Sequence, residues 1–134
     1  MSASLALQRA LVAALAADEW LAARMAGVFD QPPPGAALPY LTVGPDIVSD
    51  WSSKTHEGRE HRLRVTVWEA PRAILRCAEA MGRVESVVAA LTRELDGHRL
   101  VTLRFLRSAM DHGPGAPGDP VRGVVEFRAR TQAA

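Results

Sequence analysis

The chain has 134 residues, a formal net charge of +1 at pH 7 and one cysteine. This length predicts a single domain, residues 1–134, that buries about two thirds of its unfolded surface in one core. The near-zero charge gives no overall field to attract nucleic acid or anionic lipid, and one cysteine excludes a disulfide framework and a cysteine-based metal cluster.

The N-terminal region predicts a helix rather than a targeting segment. Ser4 can cap a helix in which Leu7, Leu11 and Leu15 recur at helical spacing. The alanine-rich run 11–17 is short and apolar like the core of a signal peptide, but no basic region precedes it. No apolar run approaches the roughly 18 residues of a membrane span. We therefore expect a cytoplasmic chain without a membrane partner.

Short segments follow this first helix. Asp18 either ends it or begins a second short helix, which Gly27 ends, and residues 28–29 suit a brief strand. Residues 31–35 include three consecutive prolines and predict an extended surface loop. Residues 40–48 suit a strand that is interrupted at a Gly-Pro pair, as in an edge strand or a bulge.

Two longer elements form the middle of the chain. Residues 61–68 alternate apolar and polar side chains, which is the pattern of a strand with one buried face. The longest helix is predicted to carry Pro71 in its first turn and to stop at Gly97, with Glu79 and Arg83 paired on its wet side. Its predicted core stripe is Ile74, Ala78, Met81, Val84, Val88, Leu91 and Leu95.

Two further strands complete the predicted sheet. In the first, Val101, Leu103 and Phe105 are predicted to face inward, and a Gly- and Pro-rich hairpin loop, 112–120, leads to the second. The inward residues of the second strand are predicted to be Val121, Val125 and Phe127. The order of helix, strands, helix and strands predicts an α+β fold. Its sheet is expected to be largely antiparallel, with four to five strands and two main helices packed on one face.

The outward face of this sheet is predicted to be basic. By alternation along the strands it carries Arg62, Arg64, Arg104, Arg122, Arg128 and Arg130. Glu126 and Trp68 lie among them. The simplest interpretation is the solvated side of a one-sided sheet. The alternative is a surface that meets a neighbouring subunit or lines a channel for nucleic acid. Because Trp68 is the one aromatic residue there, any contact with DNA would be non-specific proximity rather than reading of bases.

The chain has no convincing catalytic or metal-binding pattern. His56 and His61 are five residues apart, whereas the histidines of a zinc-protease helix are four apart. The Gly-rich loop 112–120 precedes a strand rather than a helix, so it does not suit phosphate binding. Cys77 lies on the apolar side of its helix and suits a buried, inert thiol. We therefore predict no enzymatic activity, no metal and no cofactor.

The succession of these elements resembles the tail terminator, or tail completion, proteins of long-tailed phages and phage-like gene transfer agents. The matching features are the leucine-rich first helix, residues 28–30 (VFD) before the Pro-rich loop, residues 39–44 (PYLTVG), a Trp51-containing arm with Gly58, residues 65–68 (VTVW), the helix from Arg72, residues 101–106 (VTLRFL), and residues 123–129 (GVVEFRA) after Pro120. The resemblance covers nearly the whole chain in order.

The resemblance implies a small α+β subunit without enzymatic activity, which assembles as a hexameric ring on the end of the finished tail tube. Such a ring stops tube growth and contacts the tail tube protein and the head-side connector. The arm that would reach a neighbour or the tube consists of Trp51, Ser52, Ser53, Lys54, Thr55 and His56. The arginine face would lie at a subunit boundary or toward the DNA channel. The protein would pass from the bacterial cytoplasm to the head–tail interface of the particle.

Alternatives from other classes remain. Another head–tail connector or a tail tube-type subunit has a similar small fold. A non-enzymatic adaptor would bind a different protein as a monomer or dimer. A small hydrolase would use His56 or His61, although their spacing argues against it.

Overall fold

The computed structural model describes residues 1–112 and 118–134, and in this part of the chain the fold has three helices and seven strands. The helices are α1 (Ala3–Ala17), α2 (Glu19–Arg24) and α3 (Ile74–Ala89). The strands are β1 (Val28–Phe29), β2 (Tyr40–Val43), β3 (Ile47–Asp50), β4 (Gly58–Glu69), β5 (Glu94–Leu95), β6 (His98–Asp111) and β7 (Val121–Ala133). The predicted loop 112–120 falls mostly outside the described residues.

The strands form one mixed sheet. Its order is β1-β2-β4-β7-β6-β5, and β3 pairs with β4 beyond the end of β2. The pair β1 and β2 is parallel, and every other pair among the described residues is antiparallel. The α+β class is confirmed, but the expected four to five strands are too few. The brief strand at residues 28–29 is present, but residues 40–48, predicted as one interrupted strand, contribute to two strands, β2 and β3. The two-residue strand β5 is too short to produce a recognisable alternation in sequence.

Helices α1 and α3 cover one face of this sheet. Helix α3 packs on β4 and β7, and α1 packs on α3. The core between them is aliphatic, and its largest fully buried apolar side chains are Leu7, Leu11, Leu15, Leu21, Leu41, Leu100, Val65, Val67, Val84, Val88 and Val121. Burying each such side chain contributes roughly 1.5–3 kcal/mol, so this face supplies most of the driving force for folding.

The bounds of α3 correct the predicted helix. It begins at Ile74, three residues after Pro71, because Arg72 has a positive φ of 70° that no helix accommodates. It ends at Ala89, and Gly97 instead lies between β5 and β6 with φ of 74°. Ile74 is exposed rather than buried. The buried positions of the helix are Cys77, Ala80, Met81, Val84 and Val88, so Ala78 is also outside the core stripe.

Strand β6 departs most from the expected alternation. Its register against β7 shifts between Leu100 and Thr102 and again between Phe105 and Arg107. Each shift is a β-bulge, which inserts an extra residue and changes the side to which the following side chains point. The first shift leaves the extra residue Val101 half-buried, next to the buried Leu100. Leu103 and Phe105 lie opposite Ala129 and Phe127 on the helix side, as predicted, although Phe105 is 49% exposed there. The second shift follows Phe105 and brings Arg107 opposite Glu126 on the outward face.

Asp18 connects all three helices. Its carboxylate caps α2 by accepting the Leu21 N–H at 3.0 Å, and it accepts the Arg83 Nε–H of α3 at 2.9 Å. The Arg83 guanidinium lowers the pKa of the Asp18 carboxyl, chiefly through this hydrogen bond. The predicted pair of Arg83 with Glu79 is thus replaced by a longer-range pair.

The N-cap residue of α1 is Ser2, two residues before the predicted Ser4. Ser2 Oγ accepts the Leu5 N–H at 3.1 Å and caps the helix. Ser4 lies inside α1, and its Oγ donates to Asp46 Oδ2 at 3.0 Å.

Replacing Asp18 should separate its capping role from its charge. We expect Asp18→Ala to lower the free energy of unfolding by roughly 1 kcal/mol through loss of the cap, whereas Asp18→Asn keeps the cap and loses less. The folded-state pKa is lowered, so the charge contribution is present above the ordinary carboxyl pKa and is lost as pH falls through the folded value. Urea unfolding at neutral and acid pH measures both effects. Equal losses in the two variants would contradict the capping role.

Candidate interaction surfaces

The outward face of the sheet carries eight arginines and four carboxylates among the described residues. The arginines are Arg62, Arg64, Arg99, Arg104, Arg107, Arg122, Arg128 and Arg130, and the carboxylates are Glu60, Glu94, Asp111 and Glu126. The structure brings all six predicted arginines to this face. Arg107 was missed because the second bulge of β6 sets its direction, and a bulge leaves no clear signal in one sequence.

Two glutamates are each shared by a pair of arginines. Glu126 lies 3.5 Å from Arg64 Nη2 and 2.9 Å from Arg107 Nη1. Glu60 lies between Arg128 and Arg130 at longer distances, 3.8 and 3.7 Å. Partly exposed pairs of this kind contribute little stability. Because the arginines of the face outnumber its carboxylates, the face keeps an excess of positive charge.

Three arginines form a row across three strands. In the sheet register Arg62 of β4 and Arg104 of β6 both lie opposite Arg128 of β7. Like charges directly opposite each other across strands are destabilising. Neither Arg62 nor Arg104 has an ion-pair partner among the described residues. An anion bound over this row would relieve the repulsion between the three arginines.

An aromatic groove of about 620 Å³ lies beside the arginines. Tyr40 and Trp68 stack with their ring centroids 6.2 Å apart, and Phe29 meets the Tyr40 ring edge-on at 5.8 Å. Trp68 Nε1–H donates to Thr42 Oγ1 at 3.0 Å, which fixes the indole in place. The Arg122 guanidinium lies 5.8 Å from the Trp68 ring. The Trp68 side chain of the groove is thus held in place, and Arg122 places a positive charge at one rim.

The predicted arm is the turn of a short hairpin. It joins β3 to β4, and the Trp51 N–H donates to the Gly58 carbonyl at 3.0 Å. Ser52 Oγ accepts the Gly58 N–H at 3.0 Å, and the Ser53 N–H donates to the His56 carbonyl at 2.9 Å. The predicted residues Ser52, Ser53, Lys54, Thr55 and His56 are exposed, and Trp51 is half-buried.

The turn and the arginine face touch at one point. The Arg130 guanidinium lies 5.1 Å from the Trp51 ring, which is within the range of a cation–π contact. The hairpin turn and the arginine face therefore meet at the contact between Trp51 and Arg130.

The two histidines lie in different environments. His61 is fully buried on the helix side of the sheet, with Nε2 2.9 Å from Thr131 Oγ1 and Nδ1 3.8 Å from Asp46 Oδ2. His56 lies on the exposed turn and contacts Thr55 Oγ1. Although the Thr–His–Asp order resembles a hydrolase triad, Thr131 is only 1% exposed, so its hydroxyl cannot reach a substrate.

Burial sets the ionisation of two groups in the core. Desolvation lowers the pKa of His61, and the nearby Asp46 carboxylate opposes this shift. Desolvation raises the pKa of the Cys77 thiol to about 11, and Cys77 has no exposed surface. The prediction of a buried thiol is confirmed, and the raised pKa keeps it in the unreactive thiol form.

The described part of the chain holds no group of three His, Cys, Asp or Glu side chains placed to bind a metal ion. None of its helices is long and apolar enough to cross a membrane. The Gly-rich loop considered above for phosphate binding lies mostly outside the described residues.

Comparison with known proteins decides the family. The family model described as tail completion protein gp17 matches residues 9–132, which is nearly the whole chain. The chain belongs to the tail completion protein family. A chain of a solved structure described as the virion of a native gene transfer agent particle is 34% identical and superposes with a TM-score of 0.84, covering 99% of this chain and 100% of that one. No curated protein matches the chain.

The resemblance inferred from the sequence is therefore confirmed. This tail completion protein is a structural component of a phage-like or gene-transfer-agent tail. Its outward arginines, aromatic groove and hairpin turn are surfaces available for contacts within such a particle.

The buried histidine predicts a dependence of stability on pH. The folded-state pKa of His61 lies below its ordinary value of 6.5, so the unfolded chain takes up the proton first as pH falls. The contribution is fully present above about pH 6.5 and is lost as pH falls toward the lowered value, by about 1.4 kcal/mol per pKa unit. Urea unfolding between about pH 7.5 and about pH 5.5 should show a flatter profile for His61→Gln than for the matched exposed variant His56→Gln. Identical slopes would contradict a buried neutral imidazole.

The hairpin turn predicts a steric requirement at Gly58. A Cβ there would overlap the Trp51 carbonyl oxygen and lie 3.1 Å from Trp51 Cε3, so Gly58→Ala should cost roughly 1–3 kcal/mol in urea unfolding. Gly82 of α3 has nothing within 4 Å of such a Cβ, so the control Gly82→Ala should stabilise by roughly 0.5–1 kcal/mol. A neutral Gly58→Ala would mean that the turn is not held as described.

Proposed function

We propose that this tail completion protein forms a ring at the end of the tail tube, stops tube polymerisation and provides the surface that joins the tail to the head-side connector. The observation that carries the proposal is the family match over residues 9–132, together with the likeness over 99% of the chain to a protein chain of a gene transfer agent virion. A hexamer is the expected size of this ring. The protein would be made in the bacterial cytoplasm and end at the head–tail interface of the particle.

The arginine face supports a position on the inside of the ring. DNA that leaves a head must pass through a tail ring, and its phosphates would offset the repulsion between Arg62, Arg104 and Arg128. The contact is non-specific, because phosphate contacts carry no sequence information. Tyr40 and Trp68 stack on each other and are half-buried, and Thr42 holds the Trp68 indole, which does not suit stacking along a strand of bases.

The hairpin turn suits the contact with the tail tube or with a neighbouring subunit. Its exposed residues from Ser52 to His56 project beyond the paired strands, and its backbone hydrogen bonds hold one conformation. A pre-ordered turn loses little conformational entropy on binding. A structural role without catalysis fits the burial of His61 and Cys77, and it requires no cofactor.

Tail length in particles from a strain that lacks this chain tests the proposal. We expect electron microscopy to show overlong tails without heads, and expression of the wild-type chain should restore normal length and attached heads. Each alternative gives a different result. A tail tube-type subunit would leave no tails, a connector would leave tails of normal length without heads, and an adaptor outside the particle would leave normal tails joined to heads. Any of these three results would overturn the proposal.

A further inference from the structure

Among the strand edges that have no strand partner in the described part of the chain, those of β6 and β3 are the longest. Strand β6 pairs with β7 on one side, whereas β5 covers only His98 and Arg99 on the other. The outer edge of β6 therefore has no strand partner from Thr102 to Met110 among the described residues. Strand β3 pairs with β4 alone, which leaves its second edge unpaired. An unpaired edge presents backbone N–H and C=O groups that can bond to another strand.

Both edges carry exposed apolar side chains. On β3, Ile47 is 72% exposed and Val48 is 39% exposed. On β6, Phe105 is 49% exposed and Leu106 is 36% exposed. Apolar groups on an edge strand favour association with a second strand, because pairing removes them from water.

The outward side chains of the two edges differ in charge. On the outward face β6 presents Arg104 and Arg107, whereas β3 presents the uncharged Ile47 and Ser49. The carboxylate of Asp50 lies on the helix side of the sheet, 3.3 Å from Arg59 of the same chain. Pairing β6 with β6 would place arginines together, which is unfavourable across strands, and an uncharged β3 edge avoids this repulsion. The charges therefore favour pairing of β6 with the unlike edge of β3.

We propose that β3 of one copy pairs with β6 of the next copy, so that the sheet continues from subunit to subunit. The inference rests on the proposed ring and names its subunit contact. A contact between two different surfaces of the same chain is heterologous, and repeating it closes into a ring when the rotation per subunit allows it. A contact between identical edges would stop at a dimer. Because β3 has only four residues, the pairing is weak by itself, and we expect it on assembled tails rather than in dilute solution.

Disulfide trapping in assembled tails tests this contact. Val48→Cys is combined in turn with Leu103→Cys, Phe105→Cys and Ser108→Cys, which lie on the helix side of β6 and cover different registers. The native Cys77 stays in place, since its side chain is fully buried. The matched control combines Val48→Cys with Leu75→Cys, because Leu75 is 79% exposed on α3 and lies away from both edges.

We expect mild oxidation to give a ladder of covalent oligomers beyond the dimer for at least one of the three pairs and none for the control. Dimers alone would show contact between identical edges and overturn the inference. Absence of a ladder in all three pairs, in tails of normal length with attached heads, would also overturn it while leaving the proposed function intact. Overlong tails in the strain lacking the chain test the proposed function separately.

A charge substitution at one exposed position gives a second test that does not depend on disulfide geometry. Ile47→Lys places a cation on the β3 edge, where it would face the arginines of β6 in the next copy, and it should give overlong or headless tails. Ile47→Glu should be tolerated better, because a carboxylate there faces those same arginines. The control Leu75→Lys replaces an apolar side chain of similar exposure on α3 and should leave tails normal. Equal behaviour of Ile47→Lys and Leu75→Lys would contradict the pairing.

Discussion

Strand β7 is the constraint on which the rest of the structure depends. Over residues 121–132 it pairs with β4 along one edge and with β6 along the other. Because side chains alternate along a strand, this double pairing sends Val121, Val125 and Phe127 to the helices and Arg122 and Arg128 to the opposite face. A slip of one residue would exchange the two sets, which the aliphatic core strongly opposes. The burial of every second residue of β7 follows from this register.

The same register fixes an unfavourable arrangement of charge. It aligns Arg62, Arg128 and Arg104 across the middle of the sheet, where each like-charged neighbour costs up to about 1 kcal/mol. Each buried valine or leucine on the other face contributes roughly 1.5–3 kcal/mol, so the core readily carries this cost. The fold can thus keep a basic face that is poorly compensated within the subunit. Such a face suits the position proposed for it, toward DNA in the tail channel, because the compensating negative charge would come from outside the subunit.

Sequence patterns predict the parts of this fold that are long and regular. The alternation of residues 61–68 and 121–130 was enough to assign the basic face, because β4 and β7 pair without a bulge. Strand β6 was predicted less well, since its first bulge leaves Val101 without a paired residue on β7 and its second bulge brings Arg107 to the basic face. A bulge depends on the paired strand, so the sequence of β6 alone does not locate it.

Contacts between residues that are far apart in the chain could not be predicted from the sequence either. Arg83 was expected to pair with Glu79 one turn away, but it bonds to Asp18, 65 residues distant, because α2 and α3 pack together. The buried environment of His61 likewise follows from the position of Thr131 on the neighbouring strand and of Asp46 before β3. Helical and strand periodicities describe single elements, whereas these interactions are set by how elements pack.

Cryo-electron microscopy of the head-proximal end of isolated tails tests the central claim most directly, because this fold can be placed in the averaged density. The account predicts a single ring of copies of this chain on the last tube layer, with Arg62, Arg104 and Arg128 facing the central channel. A tail end without this chain, or a ring whose arginine face points outward to solvent, would contradict it.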